Sequence, residues 1–197
     1  KLLAKERKPI VVELRVDRPA EAWALDVEEA SARLRKAGCS ALIAPRELLG
    51  AICKEQAGGM GNFPGPVPVL CEVGLERDDS VTSDRAAELK ALKADGASGV
   101  AVTCADGKLA DALKTLLADS AAAQLDCLVV AGAEEVARLA EEGGAAAVVC
   151  AFDDEGAAAS GSTGSAAADT VRLRAWDGDD DALTAAREAG FTKFALL

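Results

Sequence analysis

The sequence has no histidine, no tyrosine, one methionine, and only six aromatic residues made up of two tryptophans and four phenylalanines. Six cysteines are present, Cys39, Cys53, Cys71, Cys104, Cys127 and Cys150, but no two stand in a CxxC spacing. Without histidine or paired thiols, the chain cannot build a mixed Cys/His zinc site. Most of the cysteines lie in or beside apolar stretches, where free cysteine behaves as a small hydrophobe. They read as reduced core thiols of an intracellular protein rather than as a redox centre. No apolar run approaches the roughly 20 residues that cross a bilayer, so a membrane-spanning protein is excluded. Basic charge is also short: 22 Lys and Arg stand against 33 Asp and Glu, a net charge of −11. Nucleic-acid binders gain affinity by neutralising phosphates with Lys and Arg, so this balance argues against that class. Nothing in the composition calls for a metal or a cofactor.

What the chain does contain is a repeated phrase. ALKADGASGVAVTC, Ala91 to Cys104, reads as a helix end, a turn at Gly96 and a short buried strand. RKAGCSALIA from Arg35, EEGGAAAVVC from Glu141 and REAGFTKFAL from Arg187 repeat it. The turn glycines Gly38, Gly96, Gly143 and Gly190 are spaced by 58, 47 and 47 residues. Such periodicity marks a repeated supersecondary unit.

Taken in order, Lys1 to Lys8 is a basic lead-in compatible with a helix, stopped by Pro9. Lys1 in place of Met fits a processed start. Ile10 to Arg15 is the first strand. Asp26 is placed to cap a helix whose face is Val27, Ala30, Leu34 and Ala37. Cys39 to Ala44 is the second strand, and Glu47 to Gln56 a short helix. Ala57 to Pro66 is rich in Gly and Pro and reads as a loop. Val67 to Val73 is the third strand. Ser83 is expected to cap a helix over Asp84 to Asp95, and the fourth strand follows Gly96. Helices over Leu109 to Ala122 and Glu134 to Glu142 alternate with strands over Leu125 to Ala131 and Ala145 to Ala151. Residues 153–168 are low-complexity Ala, Gly and Ser, expected to be a mobile loop. Val171 to Trp176, a helix over Asp181 to Ala189, and a strand over Lys193 to Leu197 complete the chain.

Eight short, mostly continuous apolar strands alternating with helices suit a parallel sheet covered on its outside. One domain over residues 1–197, a (β/α)₈ barrel with no helix after the eighth strand, is the expected fold. An open doubly wound sheet would need a Gly-rich fingerprint after the first strand, and none is there.

PIVVELR at Pro9, GCSALIAPRELLG at Gly38, PVPVLCEVG at Pro66 and GASGVAVTC at Gly96 resemble the strand phrases of the indole-3-glycerol-phosphate synthase family. That family is a phosphate-binding TIM barrel of tryptophan synthesis. The resemblance runs strand by strand over nearly the whole chain. It implies a site in which the first-strand Glu is Glu13, and the Lys two residues on is Arg15. The third-strand catalytic Lys falls on Glu72, the fifth-strand Glu on Val130 and the sixth-strand Asn on Cys150. The seventh-strand Glu-Ser-Gly becomes Arg174, Ala175 and Trp176. The eighth-strand glycine falls near Leu197, and the serines flanking the loop proline are Arg18 and Ala20 around Pro19.

Ring closure with dehydration needs a positioned proton donor and acceptor. Glu72 cannot stand in for an ammonium, and Val130 transfers no proton. Phosphate sites in such barrels use backbone N–H groups after strands seven and eight. Here Asp177, Asp179, Asp180 and Asp181 would repel a phosphate; they read as a solvated helix start, and Trp176 as packing. Glu13, Arg15 and Glu72 are expected at the barrel mouth as a structural ion-pair cluster, with Arg15 on a carboxylate. The expectation is a catalytically degenerate barrel, a structural or interaction subunit of a larger assembly. An active lyase using Glu13, Arg15 and Glu72, and a small-molecule sensor, are the alternatives. A protein contact is expected at Val171, Leu173, Phe194 and Leu196, over the flank that lacks a covering helix. The processed start, the lost chemistry and the Ala/Gly/Ser stretch fit a plastid stroma location.

Overall fold

Most strand sequences are apolar at consecutive positions, so both faces of those strands must be buried, and a closed parallel sheet wrapped by helices satisfies this. The computed structural model describes residues 10–13, 27–61, 65–75, 84–151, 171–176 and 194–196, with side chains for 27–61, 65–75 and 84–151. The strands are β1 (Ile10–Glu13), β2 (Ala41–Ala44), β3 (Val69–Glu72), β4 (Gly99–Cys104), β5 (Asp126–Ala131), β6 (Ala147–Cys150), β7 (Val171–Trp176) and β8 (Phe194–Leu196). They form one closed parallel barrel in chain order, with β8 returning to pair with β1. Between them run α1 (Val27–Ala37), α2 (Arg46–Gly58), α3 (Arg85–Ala94), α4 (Ala110–Ala122) and α5 (Glu134–Glu142). A 3₁₀ turn, Gly107–Leu109, leads into α4. The helix expected over Glu47 to Gln56 extends to Gly58, so the first two residues of the Gly/Pro stretch are helical.

Alternation along the strands separates two buried layers. Ala41, Ile43, Leu70, Ala101, Leu128, Val130, Ala147 and Val149 fill the barrel lumen as one cluster. Leu42, Val100, Val102, Val129 and Val148 belong to the larger cluster under the helices. Helix faces meet that cluster at helical spacing: Leu89 and Leu92 on α3, and Leu113, Leu116, Leu117 and Ser120 on α4. In the lumen, small residues face large ones. A Cβ on Gly99 would come within 2.5 Å of Leu70 Cδ2 and 2.3 Å of the Asp126 carbonyl oxygen. The missing side chain is the space that Leu70 occupies.

The repeated turn is a Schellman helix end. In α3 the Gly96 N–H donates to Lys93 O and the Ala97 N–H to Leu92 O. The same pair of bonds closes α1 at Gly38 and Cys39, and α5 at Gly144 and Ala145. The left-handed residue of the α5 unit is therefore Gly144, with φ +81°; Gly143, expected to turn, keeps right-handed φ −77°. A further copy ends α4, where Gln124 takes φ +57° and its N–H donates to Ala121 O. It escapes a glycine-based reading because the position carries glutamine. At α3 the capping side chain is Asp84, whose Oδ1 accepts from the Ala86 N–H; Ser83, expected in that role, lies outside the described residues.

The inner face of α1 differs from expectation. Ala37 is exposed, and the buried residues are Ser31 and Arg35. They face α2 in a polar clamp. Arg35 Nη2 donates to Glu55 Oε1 at 2.8 Å, and Ser31 Oγ to Glu55 Oε2 at 2.8 Å. Gln56 Nε2 donates to Ser31 Oγ at 2.9 Å, while Gln56 Oε1 accepts the Val67 N–H at 2.8 Å. One cluster thus ties α1 and α2 to the segment entering β3. An apolar periodicity cannot reveal a helix face that is buried through polar partners.

All six cysteines are free, and five are buried. Two register rows hold four of them: Cys71–Val100–Cys127 and Cys104–Ala131–Cys150. One intervening strand puts each pair about 9.6 Å apart, beyond the roughly 7 Å limit for a disulfide. Burial pushes the thiols of Cys39 and Cys71 up to about 11 and that of Cys127 up to about 12. At neutral pH they are protonated packing groups, as the sequence implies.

The flank Val171, Leu173, Phe194 and Leu196 is corrected by register. Val171 and Leu173 pair with the lumen residues Ala147 and Val149. Phe194 and Leu196 pair with Arg174 and Trp176, in the opposite phase. The four positions therefore do not share one sheet face, because alternate strand residues belong to opposite faces. The lead-in 1–8, Asp26, the stretch 153–168, the helix from Asp181 and Gly190 lie outside the described residues.

Three outcomes follow for stability. Gln124→Gly relieves a left-handed backbone that costs an L-residue about 1–2 kcal/mol, partly offset by glycine's entropy, so urea unfolding should show a gain of about 0.5 kcal/mol. Arg35→Ala leaves Glu55 buried without its cation and should lower stability by about 3 kcal/mol, whereas Arg33→Ala, on the exposed Glu29 pair, should barely move the midpoint. Cys127 favours the folded state while protonated. Its contribution is complete below the ordinary value of 9.0 and is lost as the pH rises toward about 12. Melting temperature should therefore fall more steeply above pH 9.0 in the parent chain than in Cys127→Ala; equal slopes would contradict this account.

Candidate functional site

Parallel barrels place their chemistry at the C-terminal ends of the strands, where the connecting loops gather. Glu13 ends β1 and is paired with the lumen residue Ile43. Glu72 ends β3, is exposed, and stands level with the lumen residue Ala101. Val130 of β5 belongs to the lumen cluster and is 8% exposed, so it forms the apolar floor of the mouth. These three positions share the lumen phase. Arg15 and the loop positions Arg18, Pro19 and Ala20 lie outside the described residues, as do Asp177, Asp179, Asp180, Asp181 and Leu197.

Cys150 and Arg174 stand elsewhere. Cys150 is fully buried in the layer between sheet and helices, not in the lumen. Arg174 is paired with it and so shares its register phase. The lumen residue of β6 nearest the mouth is Val149. Matching phrases by sequence therefore puts Cys150 one residue out of phase with a mouth position, and a single step along a strand exchanges the faces.

One mouth residue has no counterpart in the sequence reading. Thr103 is exposed on β4, paired with Val130 and two residues beyond the lumen residue Ala101. The signal was present as a polar residue near the end of an apolar strand, in the parity of Ala101. Glu72 and Thr103 are thus the polar groups that the described strands β2 to β6 present at the mouth. Every described lysine sits on a helix or in the turn before α4, and none on a strand. Among the described residues no ion pair involves Glu72, and no group of His, Cys, Asp and Glu could hold a metal. Such a mouth can accept hydrogen bonds and offer a hydroxyl, but it carries no described ammonium to donate a proton or to condense with a carbonyl.

Beside the mouth, the connection from β4 to α4 is tied down by its own side chains. Asp106 Oδ1 accepts the Lys108 N–H at 3.0 Å, and Asp106 Oδ2 pairs with Lys108 Nζ at 3.2 Å. The backbone hydrogen bond, followed by the Lys108 side chain, holds the Asp106 carboxyl below its usual range. Cys104 Sγ donates to Asp106 O at 3.2 Å, and burial raises its thiol pKa. It is a buried donor here, not a nucleophile.

No family model matches the chain, and no curated protein matches it by sequence. Solved structures do resemble it. A protein described as a deoxyribose-phosphate aldolase from Coccidioides immitis aligns with a TM-score of 0.62 at 10% identity, over 100% of this chain and 83% of that one. A native KDPGal structure aligns with a TM-score of 0.61 at 13% identity, over 98% and 84% of the two chains. An N-acetylmannosamine-6-phosphate 2-epimerase from Clostridium perfringens aligns with a TM-score of 0.60 at 12% identity, over 96% and 85%. At such identities the common property is architecture: the chain has the (β/α)₈ barrel fold of these aldolase and epimerase structures.

Proposed function

We propose that this chain is a catalytically degenerate barrel of the indole-3-glycerol-phosphate synthase type, serving as a structural or interaction subunit of a larger assembly. The observation that carries the reading is the composition of the mouth. The position matched to the family's catalytic Lys is Glu72, an exposed carboxylate. The position matched to its proton-transferring Glu is Val130, packed in the lumen cluster. A lyase of that family needs a positioned proton donor and acceptor; a carboxylate in place of the ammonium and a valine in place of the carboxyl do not supply that pair. The similar folds described as an aldolase and an epimerase broaden the reactions to consider. Condensation with a carbonyl needs an amine, and no described strand carries a lysine or histidine. Meanwhile the described lumen residues and those of the layer under the helices form two buried apolar clusters. A buried core beneath a mouth whose described strands carry no lysine or histidine supports a role that uses the barrel's shape.

The test is a turnover assay of the purified chain with carboxyphenylamino-deoxyribulose phosphate, joined to its native mass in an extract of its own cells. No ring closure above a denatured control is expected, and Glu72→Lys alone should not restore it while Val130 remains. The native mass should exceed the 20.0 kDa of one chain. Turnover by the unmodified chain, or a lone monomer in the extract, would overturn the proposal.

A further inference from the structure

A groove of about 580 Å³ opens on the same face as the mouth but outside the barrel, between the β4–α4 connection and α5. That volume lies in the range of roughly 300–1,000 Å³ typical of small-molecule sites. Its floor is apolar: Leu113 of α4 is 0% exposed and Val136 of α5 is 2% exposed. Ala110 and Leu139, both half-buried, form the sides. The groove exists because its walls carry small residues. At Gly107 a Cβ would come within 2.6 Å of Glu135 Oε1, so the bare backbone lets that carboxylate lie across the opening.

The charges at the rim select the occupant. Asp106 and Lys108 neutralise one another across 3.2 Å. Glu135 forms no ion pair and no hydrogen bond among the described residues, and it lines the groove. The unbalanced charge at this opening is therefore a single carboxylate above an apolar floor. A neutral ligand seated here would strip water from Glu135 without replacing it, and an anion would add repulsion from that carboxylate. A cation offsets the lost hydration while its hydrocarbon covers Leu113, Val136 and Leu139.

We propose that the groove between α4 and α5 binds a small organic cation with an apolar body, an arylalkyl- or alkylammonium, through Glu135 and the apolar floor. The site is separate from the barrel mouth and does not depend on the reading of the mouth given above.

Phenethylammonium and phenylacetate share the same apolar body and differ in charge, so they probe the claim directly. Titration of the full chain, followed by amide NMR, should move the resonances of Gly107, Val136 and Leu139 with phenethylammonium and leave them in place with phenylacetate. Glu135→Gln removes an exposed charge at constant size and should weaken the amine about fivefold. Ala110→Leu fills the groove from its side and should abolish the shifts while thermal unfolding stays cooperative. Equal shifts with phenylacetate, undiminished binding by Glu135→Gln, or amine-induced shifts that leave α4 and α5 untouched would each overturn the proposal. An absence of any shift with the amine would overturn it as well.

Discussion

Closure of the sheet is the constraint on which the rest depends. Apart from β7, which alternates with Arg172 and Arg174, the strands have an apolar residue at almost every position and must find cover on two sides. The pairing of β8 with β1 supplies the inner cover by making a lumen, and the helices supply the outer one. The lumen then has to be filled without voids. Gly99 and the alanines Ala41, Ala101 and Ala147 leave room that Leu70, Leu128 and Val149 occupy. Size along the strands is thereby determined by position around the barrel, not by local preference for strand.

Helix attachment uses two kinds of contact. On α3, α4 and α5 the contact is an apolar stripe, terminated in each case by a Schellman turn that sends the chain down into the next strand. Between α1 and α2 the contact is polar, with Glu55 held by Arg35 and Ser31 and with Gln56 reaching the Val67 backbone. A largely buried carboxylate with its partners in place favours one arrangement, since a shift would leave charge unpaired between the helices. At the other end of the barrel the mouth spends little of its surface on such groups. Glu72 and Thr103 stand over an apolar floor, and lysine and histidine are missing from the described strands. The contrast between this specified helix contact and the few polar groups on the described mouth strands is what the proposed scaffold role rests on.

Much of the fold was legible from residues. Strand and helix alternation, the span of α5 at Glu134–Glu142 and the strand at Val171–Trp176 follow from periodicity. The turn repeat was legible because Gly38 and Gly96 mark left-handed backbone. It was misread at Gly143, where adjacent glycines make two registers equally good and only the hydrogen bonds pick Gly144. It was missed at Gln124, where the hydrogen bonds of the helix end, Gln124 N–H to Ala121 O and Leu125 N–H to Ser120 O, close over a non-glycine residue in that conformation. The candidate site was less legible. Glu72 and Val130 could be placed on the mouth by their strands, but Cys150 was set there by alignment of phrases, and parity along β6 removes it.

The order of strands and helices, the buried character of the thiols and the absence of histidine chemistry were determined by the sequence by itself. They depend on local spacing and residue type, which no partner can alter. Which face each strand residue takes, the polar clamp of Arg35 with Glu55, the exposure of Thr103 and the groove under Glu135 were decided by the tertiary structure. Each arises between segments distant in the chain. A one-residue change of register, invisible in composition and periodicity, moves a side chain from the lumen to the helix layer.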